Sequence, residues 1–137
     1  VENTDYILET DKIILKKYQV LEGIKERAQK YIDGFSKYTS SKIYVSDKEM
    51  IIASNIKDNL CSKIDNKIVN AMNERKEMQG NGIKIKDLEL LENYYVNPII
   101  IDADAVGAVF IVSTKEINDV DKLLVNILNM LLCSSFY

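Results

Sequence analysis

The sequence predicts an α+β fold, an antiparallel sheet with helices packed on both of its faces. Two stretches, 42–55 and 94–113, each hold a pair of apolar runs joined by a short polar turn, as hairpin strands do. Other stretches repeat apolar residues every three or four positions, the period of an amphipathic helix. Their order places helices at both ends of the sheet-forming region and one between the hairpins.

Residues 2–18 open with a hairpin pattern, Tyr6–Leu8 and Ile13–Leu15 around a polar turn at 9–12. The period then changes. Leu21, Ile24, Ala28, Tyr31, Phe35 and Tyr38 line up on one stripe, which predicts a helix over 19–38. Gly23 and Gly34 weaken it by up to about 1 kcal/mol each against Ala, so packing must hold it. "IYVSDKEMIIAS" reads as strand, turn at Asp47-Lys48, strand. Ile56, Leu60, Ile64, Ile68 and Met72 recur at every fourth position and predict a helix over 56–79, stopped by Gly80-Asn81-Gly82. A weak strand follows at 83–86, and the stretch through Leu91 has no clear period.

In "YYVNPIIIDADAVGAVFIVS" the apolar residues do not alternate with polar ones. Ile99 to Ile101 are consecutive, as are Ala108 to Val112, so this hairpin is expected to be central and covered on both sides. Pro98 has no N–H to give, which predicts a bulge or a locally unpaired position there. Val120, Leu123, Leu124, Ile127, Leu128, Leu131 and Leu132 form the stripe of a last helix, capped by Ser113 with Glu116 or by Asn118 with Asp121. The terminal helices are expected on one face of the sheet. The middle helix and the loops around 80–93 are expected on the other.

A length of 137 residues with 47% hydrophobic content suits one core. The net charge of −3 gives no basic field for nucleic acid. There is no His, which excludes His-based acid–base chemistry, His-containing triads and His metal ligands, and an enzyme is the least expected class. Cys61 and Cys133 lie far apart and fit a reducing, cytoplasmic compartment. No run reaches membrane-spanning length, and the N-terminus has no basic-then-apolar signal. A start at Val1 reads as a piece of a longer chain.

The hairpins carry a resemblance. "YYVNPIIIDADAVGAVFIVS" resembles the last hairpin of the GAF domain in the stage V sporulation protein T family, a Tyr-x-Val-x-Pro-Ile strand followed by Gly-Ala-Val-x-Ile. "IYVSDKEMIIAS" is similar to the first GAF hairpin of that family, and "ETDKIILKKYQ" to the end of its AbrB-type swapped-hairpin DNA-binding domain. Asn97 departs from the pattern, standing where a small residue is expected before Pro98. The resemblance implies a remnant of the DNA-binding domain over 1–18 and a GAF-like regulatory domain over 19–137. It also implies a sporulation-type transcription regulator, reaching DNA only through the N-terminal domain mostly missing here. No cofactor is known for it; an unidentified small-molecule effector is the expected ligand. The alternative is an oligomerisation module with no ligand.

Ser54 and Asn55, entering the middle helix, read as an N-cap or as an anion site. Tyr95 reads as a core residue and Asn97 as bonded to local backbone at a fold-over point, or both as ligand contacts in a cavity between sheet and middle helix. Asp102 and Asp104 read as turn residues before they read as cation ligands, and Lys16-Lys17 is a small basic pair. Cys61 reads as packed and inert, with a helix-start thiolate as the alternative. The last helix has more apolar surface than one sheet hides, with Val125, Met130, Cys133 and Phe136 outside its stripe. A homodimer is therefore expected, extending to a tetramer in a longer chain. Its interface is placed at Leu21, Ile24, Tyr31, Phe35, Leu124, Ile127 and Leu131.

Overall fold

Two long hairpins organise the part of the chain that the computed structural model describes, residues 23–134. Helix α1 covers 23–35. After it come β1 (Lys42–Ser46), β2 (Ile51–Ser54), a single 3-10 turn (Lys57–Asn59) and α2 (Asn66–Glu74). The chain continues through β3 (Met78–Ile85), β4 (Leu88–Ile101), β5 (Asp104–Ser113) and α3 (Asp119–Ser134). The opening hairpin pattern, the remnant over 1–18 and Leu21 lie outside the described residues.

The five strands form one antiparallel sheet in the order β2-β1-β5-β4-β3, so the 94–113 hairpin is central, as its consecutive apolar residues required. One face meets α1 and α3: Ile43, Val45, Ile99, Val109 and Ile111 pack with Ile24, Ala28, Ile32, Val125, Leu128 and Leu132. The other meets α2: Tyr44, Val96, Phe110 and Val112 pack with Ile64, Ile68, Ala71 and Met72. The expected α+β, GAF-like sheet flanked by helices, with the terminal helices packed together, is the fold observed. Asn118 and Asp121 start α3 by capping each other: Asn118 Oδ1 accepts from Asp121 N at 2.8 Å, and Asp121 Oδ2 from Asn118 N at 3.2 Å.

Turn chemistry matches in part. Asp47 Oδ1 accepts from Glu49 N and Met50 N, both at 2.7 Å, and closes the β1–β2 turn. The two other hairpins turn on residue pairs with positive φ, Lys86 (55°) with Asp87 (61°) and Asp102 (50°) with Ala103 (70°). Pro98 pairs with Ala108 beyond the last β3–β4 partners, Met78 and Val96, where β4 has one neighbour only. The bulge falls one position later, between Ile99 and Ile100.

The middle helix differs from the sequence expectation. It begins at Asn66, not 56, and Cys61, Ser62 and Ile64 are tied to β2 and the turn before it instead of to one another. Ile51 N donates to Ser62 O, Cys61 N to Ile51 O, and Ile64 N to Glu49 O. Cys61, at φ 63°, is in the left-handed region and exposed, not packed near a helix start. Ile64 is buried and Leu60 half-buried, so the every-fourth pattern fed the core without being helical. Asp65 caps α2 through Lys67 N at 2.9 Å and holds β3 through Lys84 N at 2.6 Å. Gly80-Asn81-Gly82 is not a break either. It lies within β3, where Gly82 (φ 93°) absorbs a bulge and Gly80 leaves room for the Tyr94 ring. Residues 80–93, expected as covering loops, are instead part of the sheet itself, in β3 and β4.

Candidate functional site

The four residues expected to border a ligand are not brought together. Ser54 and Asn55 end β2, and only a three-residue 3-10 turn follows them, so they cap no helix and offer no anion site. Asn55 bridges strand and loop, its Oδ1 accepting from Ile43 N at 2.9 Å and its Nδ2 donating to Ser41 O at 3.0 Å. Ser54 is fixed by α1: Gln29 Nε2 donates to its carbonyl at 2.9 Å, and its N–H donates to Gln29 Oε1 at 3.1 Å. Tyr95 and Asn97 point to the opposite face from α2, toward α3.

Tyr95 and Asn97 belong to a polar cluster that fastens α3 to β4. The Tyr95 hydroxyl donates to the Glu77 carboxylate and lies 3.2 Å from Asn126 Oδ1, which also accepts from Asn97 Nδ2 at 2.9 Å. One turn on, Asn129 Nδ2 donates to Pro98 O at 2.8 Å. The Lys122 ammonium sits 5.9 Å from the Tyr95 ring centre. Burial, and then the Glu77 carboxylate, push the Tyr95 hydroxyl up to about 12. The cluster clamps.

On the α2 side the middle of the sheet is filled by two aromatic rings. Tyr44 and Phe110 stack with ring centres 4.9 Å apart, at 0% and 1% exposure, where the effector cavity was expected. Burial pushes the Tyr44 hydroxyl up to about 12, and its bond from Asn59 Nδ2 at 2.9 Å opposes that only in part. Because both phenols keep their protons longer when folded, stability should be indifferent to them below pH 10 and should fall as pH climbs from 10 toward 12. Urea-unfolding midpoints measured on either side of pH 10 check this, and Tyr44→Phe should make the decline shallower.

Among the described residues no three His, Cys, Asp or Glu side chains group as metal ligands do. Asp102 opens the β4–β5 turn, and Arg75 Nε ties that turn to α2 by donating to Ala103 O at 2.8 Å. Cys133 is half-buried, Asn129 Oδ1 lies 3.1 Å from its sulfur, and burial raises its thiol.

Outward apolar residues stand on the β3–β4 hairpin, at Leu88 and Leu91, and along α3. On α3, Val120, Leu123 and Met130 are 61%, 57% and 62% exposed, with Leu124, Ile127 and Leu131 half-buried beside them. Val125, expected outside the stripe, is in the core, and the helix is apolar on two faces. Of the expected interface residues, Ile24 is consumed by the chain's own core at 3% exposure. Tyr31, Phe35 and Leu131 line a shallow groove between α1 and α3. The outward set 120, 123, 127, 130 has its own helical spacing, which was the signal available in the sequence.

No helix among the described residues is long and apolar enough to cross a membrane. Among solved structures, that of a methyl-accepting chemotaxis protein, residues 122 to 287, superposes with a TM-score of 0.61, covering 88% of this chain and 93% of that one. At 14% identity this is a likeness of fold. Stage V sporulation protein T of Bacillus subtilis (strain 168) is 28% identical over 113 residues, which span 77% of this chain and 64% of that protein. The family model described as stage V sporulation protein T C-terminal, transcription factor, matches residues 23–133. With that match over most of its length, the chain belongs to the stage V sporulation protein T C-terminal family of transcription factors.

Proposed function

We propose that the chain is a non-enzymatic regulatory domain that pairs with a second copy of itself and so sets the spacing of DNA-binding modules carried N-terminal to it in the cytoplasm. The observation that carries this reading is the outward apolar stripe of α3, with Val120, Leu123 and Met130 each more than half exposed beside half-buried Ile127 and Leu131. Left in water, such a stripe costs about 25 cal/mol per Å² of apolar surface, which a partner helix recovers. Joined to paired DNA-binding modules, the dimer extends to a tetramer. DNA is reached through those modules and not through this domain, whose charge is negative. Sedimentation equilibrium tests the reading: the parent chain should be dimeric, and Leu123→Glu with Met130→Glu should weaken association at least about 100-fold, equivalent to about 2.7 kcal/mol, with the far-UV spectrum unchanged. A monomeric parent at every concentration sinks it.

A small-molecule effector is the second reading, and one group favours it. Ser46 Oγ is buried at 1% exposure and has no hydrogen-bond partner, at the end of β1 beside Ile51 and Ala108. A buried hydroxyl without a partner costs about 1–3 kcal/mol, so a polar occupant there would be stabilising. A metabolite screen by thermal shift tests this; a screen without any stabilising compound, on an intact dimer, leaves the ligand-free oligomerisation module as the reading.

A further inference from the structure

We infer that the start of α2 is a stop on the open edge of the sheet: Asp65 and Lys67 occupy outward main-chain groups of β3 and keep that edge from pairing with the same edge of a second copy.

The order β2-β1-β5-β4-β3 leaves β2 and β3 with a neighbour on one side only. An edge strand presents unpaired N–H and C=O groups, a template on which another strand can add. The β2 edge is covered by its own chain. Ile51 N donates to Ser62 O and Ile51 O accepts from Cys61 N, both at 2.9 Å, while Gln29 holds both main-chain groups of Ser54. Where β4 runs on past β3, Pro98 has no N–H to offer, and its carbonyl accepts from Asn129 Nδ2.

β3 is the longer edge, at eight residues, and Ile83 and Ile85 near its hairpin end are buried. The register tells which groups face outward. Ile85 and Leu88 close the two-residue turn at Lys86-Asp87, and a pair in that position is a hydrogen-bonded one. Bonded and non-bonded pairs alternate, so Lys84, opposite Glu89, turns its N–H and C=O away from β4. Asp65 Oδ2 accepts from that outward N–H at 2.6 Å, and Lys67 Nζ donates to the carbonyl of Gly82, at the bulge.

Neither contact is needed to start the helix, since Asp65 Oδ1 alone caps α2 through Lys67 N. The Lys67 ammonium is also held in place, 5.7 Å from the centre of the Tyr94 ring. Charged side chains therefore stand where an incoming strand needs bare backbone. The β2 edge is covered in part by main chain. The β3 edge depends on two side chains of one helical turn, so it opens whenever that turn lifts from the sheet.

The experiment uses the whole 137-residue chain. Asp65→Ser keeps an oxygen to cap α2 but cannot also reach Lys84, and Lys67→Met keeps the stem without the ammonium. In the double variant the Lys84 amide should exchange with solvent at least about tenfold faster than in the parent. The Ile68 amide, bonded to Asp65 O at 3.0 Å, should keep the parent rate. Sedimentation velocity should show species larger than the parent's assembly, whatever its size. They should vanish when Lys84→Pro is added, and should not form in Asp58→Ser with Lys76→Met, which removes the same charges elsewhere. If Lys84 exchanges at the parent rate, or Lys84 and Ile68 accelerate together, Asp65 is a helix cap only and the stop is overturned. It is equally overturned if no larger species forms, or if Lys84→Pro leaves the larger species in place.

Discussion

Gly107→Ala is expected to lower the melting temperature by roughly 10 °C or more, the largest effect of any single methyl group in this domain. Gly107 sits in β5 opposite Ile99, just past the bulge and next to Ala108, the partner of Ser46 at the end of β1. An added Cβ would lie 2.1 Å from the Ser46 carbonyl oxygen and 3.1 Å from its carbon. Both neighbours are backbone, so no rotamer change relieves the contact. Either β1 or β5 has to move, and both are central to the five-stranded sheet. Overpacking of this kind costs about 1–3 kcal/mol where side chains can yield, and more where they cannot. Gly23→Ala is the control. Its Cβ meets nothing within 4 Å in a helix, so its stability should be unchanged or slightly raised. Thermal melts of the two variants side by side check the contrast.

Phe110→Ala should come next, at about 3–5 kcal/mol of destabilisation in a urea titration. Phe110 is 1% exposed in the middle strand, pairs with Tyr44 on one side and Val96 on the other, and stacks on the Tyr44 ring at an interplanar angle of 18°. The strands on both sides are fixed by their ladders, so the site cannot collapse to refill the space. The truncation also strips the Tyr44 ring of its stacking partner, and the loss should include that term. Phe110→Leu, which keeps most of the volume, should cost clearly less. Equal losses in the two variants would argue against a tightly packed α2 side.

Much of this architecture was legible in the sequence because strand burial on two faces leaves a plain mark. The consecutive apolar residues at 99–101 and 108–112 have no other physical explanation in a hairpin, and they are the central pair. The Asp47 turn and the Asn118–Asp121 cap were legible for a similar reason: short polar side chains at fixed offsets satisfy particular backbone N–H groups. Two signals misled. Leu60 and Ile64 keep the spacing of a helix, yet Leu60 N closes a 3-10 turn on Lys57 O and Ile64 N donates to Glu49 O just before β2, and periodicity cannot tell a helix from an irregular edge that drops a side chain into the core at the same interval. Glycine near asparagine signals a turn unless the chain has a partner strand on each side of the irregularity, as Gly82 does in its bulge. The expected ligand residues failed together, since Tyr95 and Asn97 alternate onto the α3 face and Ser54 and Asn55 end a strand. Which face a strand residue takes depends on register, and a strand buried on both faces gives no apolar–polar alternation from which to read it.

Gln29 has a mechanical consequence. Its amide engages both the N–H and the carbonyl of Ser54, two points about one peptide length apart, across a gap of 25 positions in the chain. A single bond would act as a pivot and let α1 roll over the sheet. Two bonds act as a key in a slot, so a twist delivered to that helix arrives at the outer edge of the sheet as a push on β2 and is not dissipated by spinning in place.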